Sequence, residues 1–245
     1  GKNQTKDQVM VLNYEDDTTR AMADRANGTV LFFSLHHKIK EGVSMEGDAF
    51  IIEENGKKQI VCTLDDVNLL GDHNYENILA AIAVTYSMGV PVSYIKEGIK
   101  RFKGVEHRIE YVDTIDNVRF YNDSKATNTH AACAGLSAFE KNVILLCGGK
   151  DKHISFDDLK QYDAVVKKCI SFGQTKDKFK DIFTNQISVE TMKDAFEKAV
   201  LSAKPGDIVL LCPACSSFDQ FKNYEIRGEI FKQMVHDYAS KRNEE

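Results

Sequence analysis

Along the first hundred residues, apolar positions fall in short runs between polar stretches, and the pattern mixes strand-like and helix-like periods. Residues 9–12 and 29–34 are apolar runs that predict strands, and the polar stretch 16–26 between them is helix-compatible. Residues 49–53 and 59–63 flank Asn55-Gly56, a pair that tolerates the positive φ a tight hairpin reversal demands. From His73-Asn74 onward, Ile78, Leu79, Ile82 and Val84 predict a helix that stops at Gly89, ahead of Pro91. A second helix over 93–101 leads into Phe102-Lys103-Gly104. That stretch is the candidate boundary between a domain of residues 1–103 and one of residues 104–245.

Beyond Val105 the pattern becomes a regular alternation. Buried-strand runs at 118–121, 143–147, 169–172 and 208–212 alternate with helical stretches at 129–139, 156–166, 175–183 and 191–203. A long amphipathic helix closes the chain from Asp219 to about Ala239. Such alternation predicts an α/β domain whose mainly parallel sheet is covered on both faces. Ligands of such sheets bind at the carboxyl ends of the strands, so the chemistry is expected in the loops that follow them.

Composition narrows the function classes. With 42% apolar and 28% charged residues the chain has ordinary globular composition, which excludes extensive disorder. A net charge of -5 argues against a general nucleic-acid binder, because phosphate contacts need a basic surface. No apolar run approaches the ~20 residues that span a bilayer, and Gly1-Lys2-Asn3-Gln4 does not read as a signal peptide. The chain is expected to be soluble, off the membrane and monomeric. Of its 6 cysteines, Cys62, Cys133, Cys147 and Cys169 sit in apolar surroundings and read as small hydrophobes, which fits a reducing cytoplasm.

Three strand-end loops carry candidate chemistry. After 118–121 comes Asn122-Asp123-Ser124-Lys125-Ala126-Thr127-Asn128, where a helix N-terminus, the Lys125 cation and the Thr127 hydroxyl suit an anion and Asp123 suits a ribose hydroxyl. The plainer alternative is an N-cap with its turn residues. After 143–147 comes Gly148-Gly149-Lys150-Asp151-Lys152, which reads either as a close backbone approach to an anionic ligand or as a tight turn with solvated lysines. No Gly-Lys-Ser/Thr occurs, so the usual P-loop cradle is missing. After 208–212 comes Pro213-Ala214-Cys215-Ser216-Ser217, in which Ser216 and Ser217 are anion donors. Cys212 and Cys215 there form a C-x-x-C between strand and helix, the arrangement of a thiol oxidoreductase. Zinc lacks a second ligand pair at suitable spacing. His107-Arg108 follows the candidate boundary directly, where an arginine can reach a phosphate bidentately.

In fixed order, Gly71-Asp72-His73-Asn74-Tyr75-Glu76-Asn77, Glu106-His107-Arg108-Ile109-Glu110, the Asn122 to Asn128 loop, and Pro213-Ala214-Cys215 to Phe221-Lys222-Asn223-Tyr224 closely resemble the Mur ligase family, and within it the D-glutamate-adding branch. The resemblance covers essentially the whole chain from about Val9. It implies an ATP- and Mg2+-dependent amide ligase of peptidoglycan synthesis that joins D-glutamate to UDP-N-acetylmuramoyl-L-alanine through an acyl phosphate. It further implies that 1–103 is the back part of a mixed α/β central ATP-binding domain and that 104–245 is a Rossmann-like domain binding the amino acid. By the same resemblance Asn74 and Asn77 contact adenine, and Arg108, Asp123 and Lys125 contact the ribose and phosphates of ATP. Thr127 and Lys152, rather than Lys150, hold one carboxylate of D-glutamate; Ser217 and the N–H of Tyr224 hold the other. The C-x-x-C is demoted, because the family typically has Ser where Cys212 stands. The family's N-terminal domain, phosphate loop, magnesium carboxylate and modified lysine are expected upstream of this stretch, and Lys2 does not match that lysine. On that expectation the chain alone does not ligate.

Overall fold

Apolar runs in Val9–Asn13 (β1) and Thr29–Ser34 (β2) lay both strands into one sheet, with the short helix Asp17–Ala21 (α1) between them. The structure is a computed structural model that describes residues 3–244; Gly1 and Lys2 of the polar start lie outside it, as does Glu245. Gly42–Glu46 (β3), Ala49–Glu54 (β4) and Lys57–Thr63 (β5) complete this sheet in the order β1-β2-β3-β4-β5. Its first three strands run parallel, and β4 and β5 add antiparallel. The reversal falls on Asn55 and Gly56 at φ 52° and 69°, the left-handed geometry a two-residue hairpin needs.

Helix Asp72–Ser87 (α2) buries Ile78, Leu79, Ile82 and Ala83 in a core with Val43, Phe50, Ile52 and Val61. Val84 lies off that face and is 43% exposed. Helix Val92–Arg101 (α3) follows, and its Ile95 joins the same core. The chain divides into two compact units, Gly1–Lys103 and Gly104–Glu245.

The second unit is a six-stranded sheet in the order β10-β9-β8-β11-β7-β6. Its strands are Glu110–Ile115 (β6), Val118–Asn122 (β7), Val143–Gly148 (β8), Val166–Phe172 (β9), Gln186–Ser188 (β10) and Ile208–Leu211 (β11). All neighbours are parallel except β6, which pairs antiparallel with β7. Helices Thr129–Leu136 (α4), Met192–Ser202 (α5) and Tyr224–Glu244 (α6) complete it. The central β8 is buried along its whole length, as a strand covered on both faces must be.

Several expectations change here. Asp157–Tyr162 and Gly173–Phe179 form 3-10 turns instead of the helices expected over 156–166 and 175–183. Phe156, which caps the first of these, and Leu159 within it are both buried at a spacing of three, the 3-10 period. The last helix begins at Tyr224 instead of Asp219, because the Ser217 carbonyl accepts the N–H groups of Gln220 and Phe221 in a separate turn. Strands β3, β6 and β10 were not anticipated.

Candidate functional site

Register places one set of loops together. Leu211 pairs with both Asn122 and Leu146, so β7, β8 and β11 end side by side and their following loops leave one edge of the sheet. Backbone hydrogen bonds then fasten the loops to one another. The Asp123 N–H donates to the Leu211 carbonyl at 2.7 Å, the Gly148 N–H to Pro213 at 2.8 Å, and the Lys150 N–H to Ser216 at 2.9 Å. Gly149 is required by that last contact: its φ is 145°, and a Cβ there would lie 2.4 Å from the Ser216 carbonyl oxygen. The close approach anticipated for this glycine is thus made by the protein's own backbone. The Thr129 hydroxyl, donating to the Ser155 carbonyl at 2.8 Å, ties the start of α4 to the chain beyond Lys152.

A fully buried Arg227, on the first turns of α6, lies behind these loops. Its Nε donates to Ser124 Oγ at 2.9 Å, Nη2 to the Ser124 carbonyl at 2.8 Å, and Nη1 to the Cys215 carbonyl at 3.0 Å. Ser124 Oγ in turn donates to the Tyr224 carbonyl at 2.7 Å. Burial lowers the Arg227 pKa to about 10, so it remains a cation at neutral pH. Arg227 escaped the sequence reading. The available signal is the stripe of buried Phe231 and Val235, which extends one helical step back to Arg227.

The residues expected at the nucleotide fall on two units. Asn74 is buried on α2 with its Nδ2 donating to the Leu70 carbonyl at 2.7 Å, and Asn77 on the same helix is exposed. In the second unit, Arg108 is exposed on a turn where His107 and Ile109 have φ of 65° and 44°. Left-handed geometry at a β-branched residue costs of order 1–3 kcal/mol and persists only when its surroundings enforce it. They do so here: Asp123 Oδ1 accepts the Ile109 N–H at 3.3 Å, Glu110 accepts the His107 N–H at 2.9 Å, and the His107 carbonyl accepts the Lys125 N–H at 3.0 Å. Asp123 is 4% exposed, and its second oxygen accepts from Cys212 Sγ at 3.4 Å. Burial raises its pKa to about 7, against these hydrogen bonds and the fields of Arg108 and Arg227. The Lys125 ammonium stands 5.8 Å over the Tyr224 ring.

Thr127 and Lys152 stand in the loops after β7 and β8, Thr127 half-buried and Lys152 exposed, while Ser217 is buried in the loop after β11. Tyr224 opens the 21-residue α6, where free N–H groups and the positive end of the helix dipole favour an anion. Beside Ser217, the buried Ser216 hydroxyl lacks a hydrogen-bond partner among the described residues. The two cysteines offer no nucleophile. Burial and the neighbouring Asp123 hold the Cys212 thiol well above its usual pKa, and burial pushes Cys215 to about 11. Farther along the sheet, Glu106, His107 and Glu229 hold ligand-type atoms within 4.8 Å of one another. The Lys232 ammonium already fills that cluster, 2.5 Å from Glu106 and 2.9 Å from Glu229.

Comparison with known proteins assigns the class. The family model for the Mur ligase middle domain matches residues 1–85, and that for the Mur ligase glutamate ligase domain matches 107–215. The chain belongs to the Mur ligase family. Among curated proteins it is similar to UDP-N-acetylmuramoylalanine--D-glutamate ligases. It is 37% identical to that of Lachnoclostridium phytofermentans over 241 residues, and 42% identical to that of Bacillus thuringiensis over 240. These alignments cover 96% of this chain but 53% and 52% of the relatives, so the chain spans about half their length. Among solved structures, a MurF ligase from Thermotoga maritima in complex with ADP matches at a TM-score of 0.67 and 16% identity, covering 97% of this chain and 55% of that one. A UDP-N-acetylmuramoylalanyl-D-glutamyl-2,6-diaminopimelate--D-alanyl-D-alanyl ligase from Acinetobacter baumannii matches at 0.65 and 15%, covering 96% and 52%. At such identities the likeness shows the fold.

Proposed function

We propose that this chain is part of an ATP-dependent, ADP-forming ligase of peptidoglycan synthesis that joins D-glutamate to UDP-N-acetylmuramoyl-L-alanine. The observation that carries the reading is the shared edge of β7, β8 and β11, whose three following loops are fastened together and include Thr127, Lys152 and Ser217. A short diacid needs two separate anion-binding points. Thr127 with Lys152 forms one, and Ser217 with the Tyr224 N–H forms the other. Holding both carboxylates leaves the amine as the reacting group. It attacks the acyl phosphate made when the sugar-linked alanine carboxylate takes the γ-phosphoryl of ATP; an amide forms and inorganic phosphate leaves. The contribution of these residues is to bind and orient.

On the nucleotide side, the exposed Arg108 and the Lys125 ammonium fit polyphosphate, and the exposed Asn77 beside Asn74 fits adenine. Asp123 belongs to the same set. Its burial supports a role in holding the Arg108 turn more directly than a contact with the ribose hydroxyls. Magnesium serves charge neutralisation in such a reaction, and its ligands are proposed to lie in the rest of the protein. Residues 1–103 are then the back of the central ATP-binding domain, and the whole acts as a cytoplasmic monomer.

The test is ADP release by the full-length protein that carries this chain, supplied with UDP-N-acetylmuramoyl-L-alanine and ATP. Release dependent on D-glutamate and not on L-glutamate is expected; indifference to D-glutamate overturns the reading. With no Gly-Lys-Ser/Thr among its 245 residues, the chain by itself is expected to release no ADP.

A further inference from the structure

We infer that Arg227 is the positioning residue that sets the spacing between the two carboxylate-binding points, an inference that rests on the D-glutamate reading above. One side chain reaches every loop involved. It grips Ser124 twice, in the turn that continues to Thr127, and it holds the Cys215 carbonyl at 3.0 Å, in the turn that continues to Ser217. Through Ser124 Oγ it is linked to the carbonyl of Tyr224, whose N–H is the fourth proposed contact. Gly149, in the loop that continues to Lys152, passes so close that a Cβ there would lie 3.4 Å from Arg227 Nη1. A guanidinium is a rigid planar fork, so acceptors bonded to its three nitrogens are held at separations that the fork dictates.

Its charge points the same way. All three acceptors are carbonyls or a hydroxyl, and Asp123 and Asp219 act on Arg227 only through space. A buried cation without a bonded carboxylate is a costly way to fill space, and an apolar side chain of similar volume would pack more cheaply. Beside a site for a dianionic amino acid the same charge adds favourable potential. Steady-state kinetics of the full-length protein separate this role from simple scaffolding. Arg227→Lys keeps the charge and loses the fork.

The expected result for Arg227→Lys is a D-glutamate KM raised about tenfold or more, with the ATP KM within about threefold of the parent. A merely structural role would lower the folded fraction, and so kcat, with KM for D-glutamate unmoved. A D-glutamate KM within about twofold of the parent overturns the inference. Should Arg227→Lys fail to fold, Ser124→Ala decides instead, because it breaks the link to Tyr224 and removes one guanidinium acceptor. A D-glutamate KM raised at least about threefold in Ser124→Ala supports the inference, and an unchanged one overturns it. Failure of the parent itself to depend on D-glutamate would sink the ligase reading; a normal parent with indifferent variants sinks this inference alone.

Discussion

Asp123 and Lys152 mark the two extremes of how a charged side chain serves this edge of the sheet. Asp123 is buried, and its pKa rises from the ordinary 3.8 to about 7. A carboxyl with a raised folded pKa contributes stability that is complete below its unfolded value and lost as pH climbs through the folded one. The unfolding free energy of the parent minus that of Asp123→Asn should therefore fall between pH 4 and 7, by up to roughly 4 kcal/mol, and level off above pH 8. Denaturant titrations across that range check it; a flat difference would place the carboxyl in a less desolvated setting. Lys152 is exposed, and its proposed work is with ligand. Lys152→Ala in the full-length protein should weaken D-glutamate use by about 1.5–3 kcal/mol, read as kcat/KM, with stability unchanged. Arg108→Ala and Lys125→Ala should instead raise the KM for ATP.

What the sequence discloses at this scale depends on whether a residue's job is local. Lys125, Thr127 and Ser217 stand in strand-end loops, where position alone nominates them. Arg227 works through tertiary hydrogen bonds from the middle of a helical pattern, and an arginine there ordinarily faces water. Ile109 likewise gave no warning of its left-handed backbone, because the groups that enforce it arrive from Asp123.

Among the elements, the strands covered on both faces were legible. Ile208–Leu211 and Val143–Gly148 are unbroken apolar runs, and the Asn55-Gly56 hairpin follows from turn chemistry. The weakly patterned β6 and β10 at the edges were not, and neither was the interior β3, whose short run is broken by Ser44 and Glu46. Two helix-like stretches shortened to 3-10 turns because too few apolar positions fall on an α-helical face. Helix α6 offers a test in which two effects compete. Replacing Gly228 by Ala gains up to about 1 kcal/mol of helix propensity. Yet the added Cβ would lie 2.2 Å from Nδ1 of the buried His107, which also faces Asn122 Nδ2 at 3.0 Å. His107 cannot swing clear into solvent, so sterics should win and Gly228→Ala should lose about 1–2 kcal/mol net. A stabilised variant in thermal melts would show that the His107 turn yields easily. At the start of α5, the Thr191 hydroxyl and the Asp194 carboxylate cap each other's backbone. Thr191→Ala should cost about 1 kcal/mol in the same assay.

For the molecule as a whole, the division of labour follows from topology. In the second unit, parallel strands bring loops distant in sequence to one edge, and that edge gathers chemistry that no single segment holds. The first unit contributes a sheet that is half parallel and half antiparallel, with α2 carrying Asn74 and Asn77.

The central claim is that three loops and the N-terminus of α6 form one D-glutamate site, and backbone amide spectra of this chain test it most directly. Titrating D-glutamate to millimolar concentration should move the amide resonances of Thr127, Lys152, Ser217 and Tyr224 together, on one binding curve. L-glutamate should leave them in place. Shifts scattered over other surfaces, or an equal response to both enantiomers, would contradict the account.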